Sequence, residues 1–280
     1  MIITDHQALI KCDPEEIIWR YMDLEKFELL LKNSSLFLCR SDKFSDPFEA
    51  SIPKRESEYR VKEEMKIAAY FKRPTTLEEA KRKSDDIANL HKRFRRAFVV
   101  NCWHINSSES DAMWRLYLKT NEGVAIQSSC KKIIDSLSHS EEEILISKIR
   151  YIDYEKDIWY HKTDYPVTSY NLLTPIVHKR TAFSHENELR IFQQIEPAIN
   201  NPHYWDNNPQ WWTKVIPFIR LKTTTKIGKN ISCDVSKLID KVILPPTSED
   251  DVKMKVISLL SKYNINSEVI KSKLNDEPVY

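Results

Sequence analysis

The sequence predicts an α+β fold, in which one compact domain has a central mixed or antiparallel sheet flanked by helices. Short apolar runs of strand length are interspersed with segments of helical periodicity. The 280 residues suffice for one large core, and 41% hydrophobic with 30% charged residues is the composition of a folded globular protein. No repeat, low-complexity tract or linker divides the chain, so residues 1–280 are predicted to form a single domain.

Local sequence features predict each helix and strand. Pro14 suits a first helical turn and leucines recur at helical spacing behind it, so a helix is predicted over 14–33. The stretch of about 54–96 is dense in Glu, Lys, Arg and Ala with a break at Pro74, which predicts a helical insertion of two helices. The other predicted elements are strands at 36–39, 97–100, 123–126, 144–151 and 189–194, helices at 110–118, 168–182 and 248–263, a Trp-rich loop at 203–212, and short strands before and after the last helix.

The composition excludes two common classes of nucleotide-binding fold. Gly123 and Gly228 are the two glycines of the chain. A P-loop or a dinucleotide-binding fingerprint needs several glycines so that the backbone can approach phosphate, which excludes Walker-type ATPases and Rossmann oxidoreductases. The formal charge of +2 gives no global field for nucleic acid or an anionic membrane, so any basic surface must be local.

The expected compartment is the cytoplasm. Residues 1–16 lack the basic start and apolar run of a signal peptide, and no apolar stretch approaches the roughly 18 residues of a membrane-spanning helix. The five cysteines are scattered and odd in number, which predicts free thiols in a reducing compartment. Cys102 and His104 have no second pair at zinc spacing, so no metal site is predicted.

The strongest catalytic candidates lie in the run 179–190. If this run enters a strand, Glu186, Glu188 and Arg190 project to one side while their neighbours face away. Two carboxylates beside a guanidinium can bind hydroxyls or stabilise a developing cation, and Lys179 belongs to the same run. The alternative is a solvated strand face whose ion pair contributes less than about 1 kcal/mol.

A second polar-aromatic block contains Arg20 and Tyr21 and continues into an Asp-Pro loop. A guanidinium among apolar residues needs an anionic partner or a route to solvent. Asp46 and Glu49 of the loop are the candidate partners, and an anionic ligand is the alternative.

A third block spans 102–117. On the predicted helix, Trp114 shares a face with Met113 and Tyr117, and this spacing favours core packing over ligand binding. Ser110 is the candidate helix cap.

A basic run at 91–96 contains Lys92, Arg93, Arg95 and Arg96 around one phenylalanine. Such runs contact the phosphate backbone in nucleic-acid-binding proteins, although most are the solvated face of a helix. The Trp-rich loop also has two interpretations, because its rings can stack on a base or pack onto the core.

The order of these blocks resembles the bacterial domain-of-unknown-function 2971 family (DUF2971). The resemblance covers nearly the whole chain and rests on WRYM, SDKFSDPFE, CWH, MW..Y, GVAI, K…F..E.E.R and the ending KVILPPTSEDDVKMKVISLLSKYNI. Ser45 stands where family members often have Asn before Asp-Pro-Phe. The resemblance implies a bacterial or phage-borne cytoplasmic protein, near defence genes in some members, without an established activity.

A second resemblance, to ADP-ribosyltransferases, implies a reaction. These enzymes order their site as an early Arg or His, a Ser-rich strand and a late Glu-x-Glu, and here Arg20, Ser128 and Glu186–Glu188 fall in that order. The resemblance implies that Arg20 holds the phosphates or ribose of NAD. It also implies that Glu188 stabilises an oxocarbenium-like transition state, that Glu186 orients the acceptor, and that Tyr21 or Trp114 stacks on nicotinamide.

The chain departs from the ADP-ribosyltransferase pattern at two places. Ser128 and Ser129 lack the usual threonine between two serines, and Arg20 lies in a predicted helix instead of a first strand. These departures concern the serine strand and the position of the arginine.

The sequence therefore predicts an effector of toxin or defence type that acts on NAD or another nucleotide. The predicted catalytic residues are Glu188, Glu186 and Arg20. The predicted substrate-binding residues are Tyr21, Asp46, Glu49, Trp114, Ser128, Lys179 and Arg190. Two alternatives stay open: a nucleic-acid-binding or nuclease module that uses the basic run, and a non-enzymatic interaction protein whose blocks form a structural ion-pair lattice.

Overall fold

The computed structural model describes residues 1–118, 122–159, 173–195 and 226–278. Its strands are β1 (Ile2–Ile3), β2 (Ile17–Asp23), β3 (Ser35–Arg40), β4 (Phe98–Ile105), β5 (Gly123–Ser129), β6 (Ile144–Lys148), β7 (Arg150–Ile152), β8 (His178–Arg180), β9 (Glu188–Gln194), β10 (Gly228–Ser232), β11 (Lys241–Leu244) and β12 (Glu268–Lys271). Its α-helices are α1 (Leu24–Asn33), α2 (Lys54–Tyr70), α3 (Leu77–Phe94), α4 (Asp111–Tyr117), α5 (Cys130–Leu137), α6 (Val235–Leu238) and α7 (Asp250–Lys262).

A large mixed sheet forms the centre of the molecule. Its strands follow the order β1-β6-β9-β4-β2-β5-β11-β12, and β3 joins it by pairing with both β4 and β10. The β1–β6 and β11–β12 pairs are parallel and the other pairs of this sheet are antiparallel. Strands β7 and β8 form a separate parallel pair. The predicted α+β class, with a central mixed sheet flanked by helices, is confirmed.

The sheet forks between β2 and β4. Strand β2 pairs with β5 along its whole length, but it pairs with β4 only through Ile18 and Trp19. Farther along, β4 pairs with β3 instead, at Cys39↔Val100 and Arg40↔Val99. Strand β2 ends at Asp23, whose carboxylate accepts from Lys26 N and caps α1. An opening therefore remains in the sheet between the end of β2 and the middle of β4.

Both faces of the sheet are covered, which follows from the alternation of side chains along each strand. On β4, Val99, Trp103 and Ile105 face a core built with α1, α5 and α7, whereas Phe98 and Val100 face a second core built with the end of α3. Full burial of each large apolar side chain contributes roughly 1.5–3 kcal/mol, so the two cores hold β4 and β9 firmly in the middle of the fold.

The predicted helix over 14–33 is wrong in its first half. Residues 17–23 form β2, and the helix begins only at Leu24. The β-branched and aromatic run before Asp23 packs on both sheet faces, so tertiary packing outweighs the helical spacing of the leucines that follow. The helix predicted over 168–182 is also wrong where it is described, because 178–180 form β8, while 174–177 and 181–182 belong to two 3-10 turns. The Trp-rich loop 203–212 lies outside the described residues.

The expectation of free thiols throughout is wrong for one pair. Cys12 and Cys130 form a disulfide across 118 residues of sequence. Cys39, Cys102 and Cys233 are free. Sequence spacing could not reveal the pair, since the two cysteines meet only because β2 and β5 are neighbours in the sheet. None of the helices in the described part of the chain is long and apolar enough to cross a membrane.

Candidate active site

A cleft of about 450 Å³ lies at the fork in the sheet. Its walls come from β2, β3 and β4, from the start of β9, from the loop around Asp46 and from the last turn of α4. Seven of the ten residues predicted for catalysis or substrate binding line this cleft: Arg20, Tyr21, Asp46, Glu49, Lys179, Glu186 and Glu188. The predicted blocks therefore meet in one place, although they are distant in sequence.

Two carboxylates share one ammonium group at the inner end of the cleft. Lys179 Nζ lies 2.6 Å from Glu186 Oε2 and 3.3 Å from Glu188 Oε1, and all three side chains are buried. Glu186 ends a 3-10 turn instead of lying on the strand, and Asn187 adopts a left-handed conformation with φ 37°. This bend, held by Asn187 Nδ2 donating to Ile105 O, brings Glu186 and Glu188 to the same ammonium group. The interpretation of a solvated strand face is wrong.

Arg190 lies behind the cleft and supports it. Its guanidinium is fully buried, with Nε donating to Glu188 Oε2 at 2.8 Å and Nη1 to Ile176 O at 2.7 Å. Glu49 accepts two further bonds from the same guanidinium, at 2.6 and 3.0 Å. Removing one partner of such a buried pair costs about 3–5 kcal/mol, because it leaves a buried charge uncompensated. Arg190 therefore fixes the orientation of Glu188 without lining the cleft.

The surroundings shift the pKa values of Glu186 and Glu188 in opposite directions. Burial, reinforced by the nearby charge of Glu188, raises the pKa of Glu186 to about 7. Burial also opposes ionisation of Glu188, but the Arg190 and Lys179 charges outweigh it and hold the pKa of Glu188 well below its usual range. Divergent acidities of neighbouring carboxyls assign them different roles, one permanently ionised and one able to exchange a proton near neutral pH.

Arg20 provides a positive charge at the other end of the cleft. It lies on β2, half-buried, and its Nη1 spans the fork to donate to Cys102 O at 3.2 Å. Within the described residues it has no carboxylate within ion-pair distance, and the Trp103 ring lies 5.8 Å from its guanidinium carbon. Burial lowers the pKa of Arg20, since the charge is poorly compensated. An anion in the cleft would restore that compensation.

The predicted partners of Arg20 bind elsewhere. Asp46 pairs with Arg180 at 2.6 Å and Glu49 pairs with Arg190, so the expected pairing of Arg20 with this loop is wrong. The two acidic residues line the cleft, but their charges are already neutralised.

Of the aromatic residues near the cleft, some line it and others pack behind its wall. Tyr21 accepts a hydrogen bond from Ser110 N at 2.8 Å, and the edge of Trp114 packs against its ring at 4.9 Å between centroids. Trp114 is buried outside the cleft, with Nε1 donating to Glu109, which agrees with core packing. Tyr117 is 40% exposed and lines the cleft, contrary to its interpretation as core. Its hydroxyl is desolvated, and this burial raises its pKa.

Ser128 does not reach the cleft. It lies on β5, and its hydroxyl donates to Leu238 O at 2.6 Å within the core. The structure thus separates Ser128, Trp114 and Arg190 from the seven residues that line the cleft.

Cys102 and His104 line the cleft and were not included among the predicted site residues. His104 is paired with Glu188 across β4 and β9, and its Nδ1 lies 2.7 Å from Glu186 O, which orients the ring. Burial raises the pKa of the Cys102 thiol well above its usual value, which argues against a thiolate nucleophile. Alternation along the strand 98–105 places both side chains on one face, and this signal was available in the sequence.

The basic run is divided between different environments. Lys92 and Arg96 are exposed, Arg95 is half-buried, and the side chain of Arg93 lies outside the described part. Arg96 Nε lies 3.9 Å from Asp42. A nucleic-acid partner at these residues stays a prediction.

Comparisons with known proteins give one family and one solved structure. No curated protein matches the chain. A solved structure, Thermus sp. 2.9 DarT in complex with NAD+, is similar at 12% identity and a TM-score of 0.32, with 94% of this chain and 97% of that chain covered. The model of the family described as "Protein of unknown function (DUF2971)" matches residues 113–191, which confirms the DUF2971 resemblance over a segment that carries Tyr117 and the whole run 179–190.

Proposed function

We propose that the chain cleaves the bond between nicotinamide and ribose in NAD and transfers the ADP-ribose to an acceptor within this cleft. One observation carries the proposal. Glu186 and Glu188, with opposite pKa shifts, share the cleft with Arg20, which has no carboxylate partner among the described residues. NAD presents matching groups, because its diphosphate suits a guanidinium and its ribose hydroxyls suit a carboxylate.

The chemistry assigns a separate role to each carboxylate. When the C1′–N bond breaks, nicotinamide leaves with the bonding electron pair and positive charge develops on C1′ and the ring oxygen. Glu188, which remains ionised, stabilises that charge. The acceptor, which is water in simple hydrolysis, then bonds to C1′ and gives its proton to Glu186, whose pKa lies near neutrality.

The dimensions and walls of the cleft suit such a substrate. A volume of about 450 Å³ lies within the range of roughly 300–1,000 Å³ that is common for small-molecule sites. Tyr117, Phe44 and Phe183 line it and offer faces on which nicotinamide or adenine can stack. Arg20 lies on a strand, so one of the two departures from the ADP-ribosyltransferase pattern disappears. The proposal gives Ser128 no role.

The biological role that accompanies this activity is that of a toxin or defence effector in the cytoplasm, where NAD is available. Depletion of NAD and modification of a cellular acceptor are the two ways in which the same reaction would act. Neither requires a metal or a further cofactor at the cleft.

Release of nicotinamide from NAD by the purified chain tests the proposal directly. We expect Glu188→Gln to lower the rate about 10²- to 10³-fold, as loss of one group that stabilises transition-state charge does. We expect Arg20→Met to raise KM about 10- to 100-fold, since a hydrogen bond to a charged group contributes roughly 1.5–3 kcal/mol. Arg20→Met removes no partner from any carboxylate of the described residues, so it should fold normally.

Glu142→Gln is the matched control, because Glu142 also pairs with a lysine but lies outside the cleft. It should release nicotinamide at the rate of the unmodified chain. Folded protein that releases no nicotinamide with NAD, alone or with cell extract as the source of acceptor, would overturn the proposal. A Glu188→Gln variant that melts at the normal temperature and keeps full activity would overturn the assigned role.

A further inference from the structure

A second cluster of reactive groups lies outside the cleft, at the opposite end of the β2–β5 pair. Cys12 and Cys130 meet there beside Glu16, and one ligand atom from each of the three residues lies within 4.8 Å of the other two. Cys12 Sγ lies 3.1 Å from Glu16 Oε2. We propose that, when the Cys12–Cys130 disulfide is reduced, the two thiolates and the Glu16 carboxylate bind one Zn²⁺ ion.

The backbone holds the three groups together without the disulfide. Cys130 N donates to Glu16 O at 3.2 Å, and Lys131 N donates to Pro14 O at 2.9 Å. These two bonds clamp the loop that carries Cys12 against the first turn of α5. Because Glu16 leads directly into β2, which pairs with β5 over seven residues, the thiols stay close after reduction. The ligands are therefore organised before the metal arrives.

The charges of the cluster match a divalent cation. Two thiolates and the Glu16 carboxylate carry three negative charges, and Lys148, whose Nζ lies 2.6 Å from Glu16 Oε1, supplies one positive charge. The remaining two negative charges are balanced by Zn²⁺. Cys130 is also the first residue of α5, where the helix dipole favours the thiolate.

The donor set is the one that zinc selects. Thiolate sulfur prefers Zn²⁺ to Mg²⁺ or Ca²⁺, and a carboxylate completes zinc sites alongside sulfur. Asp13 N and Lys148 already donate to the Glu16 carboxylate, as outer partners of a metal-bound carboxylate do. Three protein ligands leave the fourth position for water. Zn²⁺ would replace the disulfide as the link between the N-terminal loop and α5 under reducing conditions.

The disulfide and the metal exclude each other at the same sulfur atoms. Reduction by a tertiary phosphine breaks the S–S bond, gives two thiols and converts the phosphine with water to its oxide. Zn²⁺ binding then releases the two thiol protons. This inference is independent of the reaction proposed for the cleft, so either can fail alone.

The experiment uses the full chain, reduced with a phosphine and freed of reductant without air, and then given Zn²⁺ and desalted. We expect one zinc ion per chain by elemental analysis, and with Co²⁺ a thiolate-to-metal charge-transfer band. Cys12→Ser and Cys130→Ser should lose both signals, whereas Cys39→Ser and Cys233→Ser, which change free cysteines outside the zinc cluster, should keep them.

Glu16→Gln keeps both thiols and guards against loss through misfolding. Loss of a residue that only hydrogen-bonds to a metal ligand weakens metal binding about 10- to 100-fold. Since Glu16 is proposed to bind the metal itself, we expect Glu16→Gln to weaken zinc binding by at least this much. A reduced, folded chain that retains no zinc would overturn the inference. So would zinc that is retained equally by Cys130→Ser, by Glu16→Gln, or by the oxidised chain.

Discussion

The two ends of the cleft differ in how their charges are compensated. At the inner end, Lys179 and Arg190 form ion pairs with Glu186, Glu188 and Glu49, with contacts of 2.6 to 3.3 Å. At the fork, a backbone carbonyl is the hydrogen-bond partner of Arg20, and no carboxylate of the described chain lies within ion-pair distance. The inner end is a closed lattice, whereas the fork end carries a positive charge that a ligand can neutralise.

This difference separates two explanations that the sequence left open. A purely structural ion-pair lattice accounts for Arg190 and Glu49, which are fully buried and satisfied by each other. It does not account for Arg20, whose burial lowers its pKa and which gains no ion pair among the described residues in return. A structural ion-pair lattice and a candidate binding site therefore lie next to each other. Substitutions in the lattice should mainly lower stability, whereas substitution of Arg20 should mainly lower activity.

The largest effect is expected on stability, from Arg190→Met. It leaves Glu49 and Glu188 buried without their main counter-charge, so the free energy of unfolding should fall by about 3–5 kcal/mol. Arg20→Met should change it by less than about 1 kcal/mol, because it breaks no ion pair of the described chain. Urea unfolding monitored by tryptophan fluorescence measures both. Equal losses for the two variants would abolish the distinction between a closed end and an open end.

Sequence reasoning grouped the residues of the inner end but not those of the fork. The reason is how far apart the contacting residues lie along the chain. Lys179, Glu186 and Glu188 lie within ten residues of each other, so local spacing sufficed to predict that they act together. The Glu49–Arg190 pair joins residues 141 positions apart, and only the sheet brings them into contact. No local pattern carries that information.

The fork depends on strand register, which a single sequence does not specify. Because the leucines of α1 have helical spacing, the predicted helix was extended back over residues 17–23. These residues form β2, which lies between β4 and β5 in the sheet. Once β2 is a strand, its short pairing with β4 leaves the opening that Arg20 spans. Strands with strong apolar runs were predicted more closely, since burial on both faces selects those residues directly. Strand β9 was predicted one residue short at its start, and β5 was predicted at its observed start but three residues short at its end.

A smaller effect is expected on the pH dependence of stability, and it reports on Glu186 at the inner end of the cleft. The raised pKa of Glu186 means that the folded chain holds an additional proton between the usual carboxyl range and about pH 7. Glu186 therefore contributes most to stability at low pH, and the contribution is lost as pH rises through about 7. The melting temperature of the unmodified chain, compared with that of Glu186→Gln, should fall as pH increases across this window.

Glu142→Gln provides a control of opposite sign. Although partial burial opposes ionisation, hydrogen bonds from Lys229 and Gln193 lower the pKa of Glu142, so its contribution is present above the usual carboxyl range and lost as pH falls. The difference in melting temperature between the unmodified chain and this variant should grow with pH. The same trend for both variants would contradict the assignment of opposite acidities.

The smallest effect is expected at Ser128, which belongs to neither end. Ser128→Ala removes one buried hydrogen bond, to Leu238 O, and should lower the free energy of unfolding by about 1 kcal/mol. The rate of nicotinamide release should not change, because Ser128 does not line the cleft and its hydroxyl donates to Leu238 O of α6 within the core. A loss of activity without a loss of stability would return Ser128 to the site.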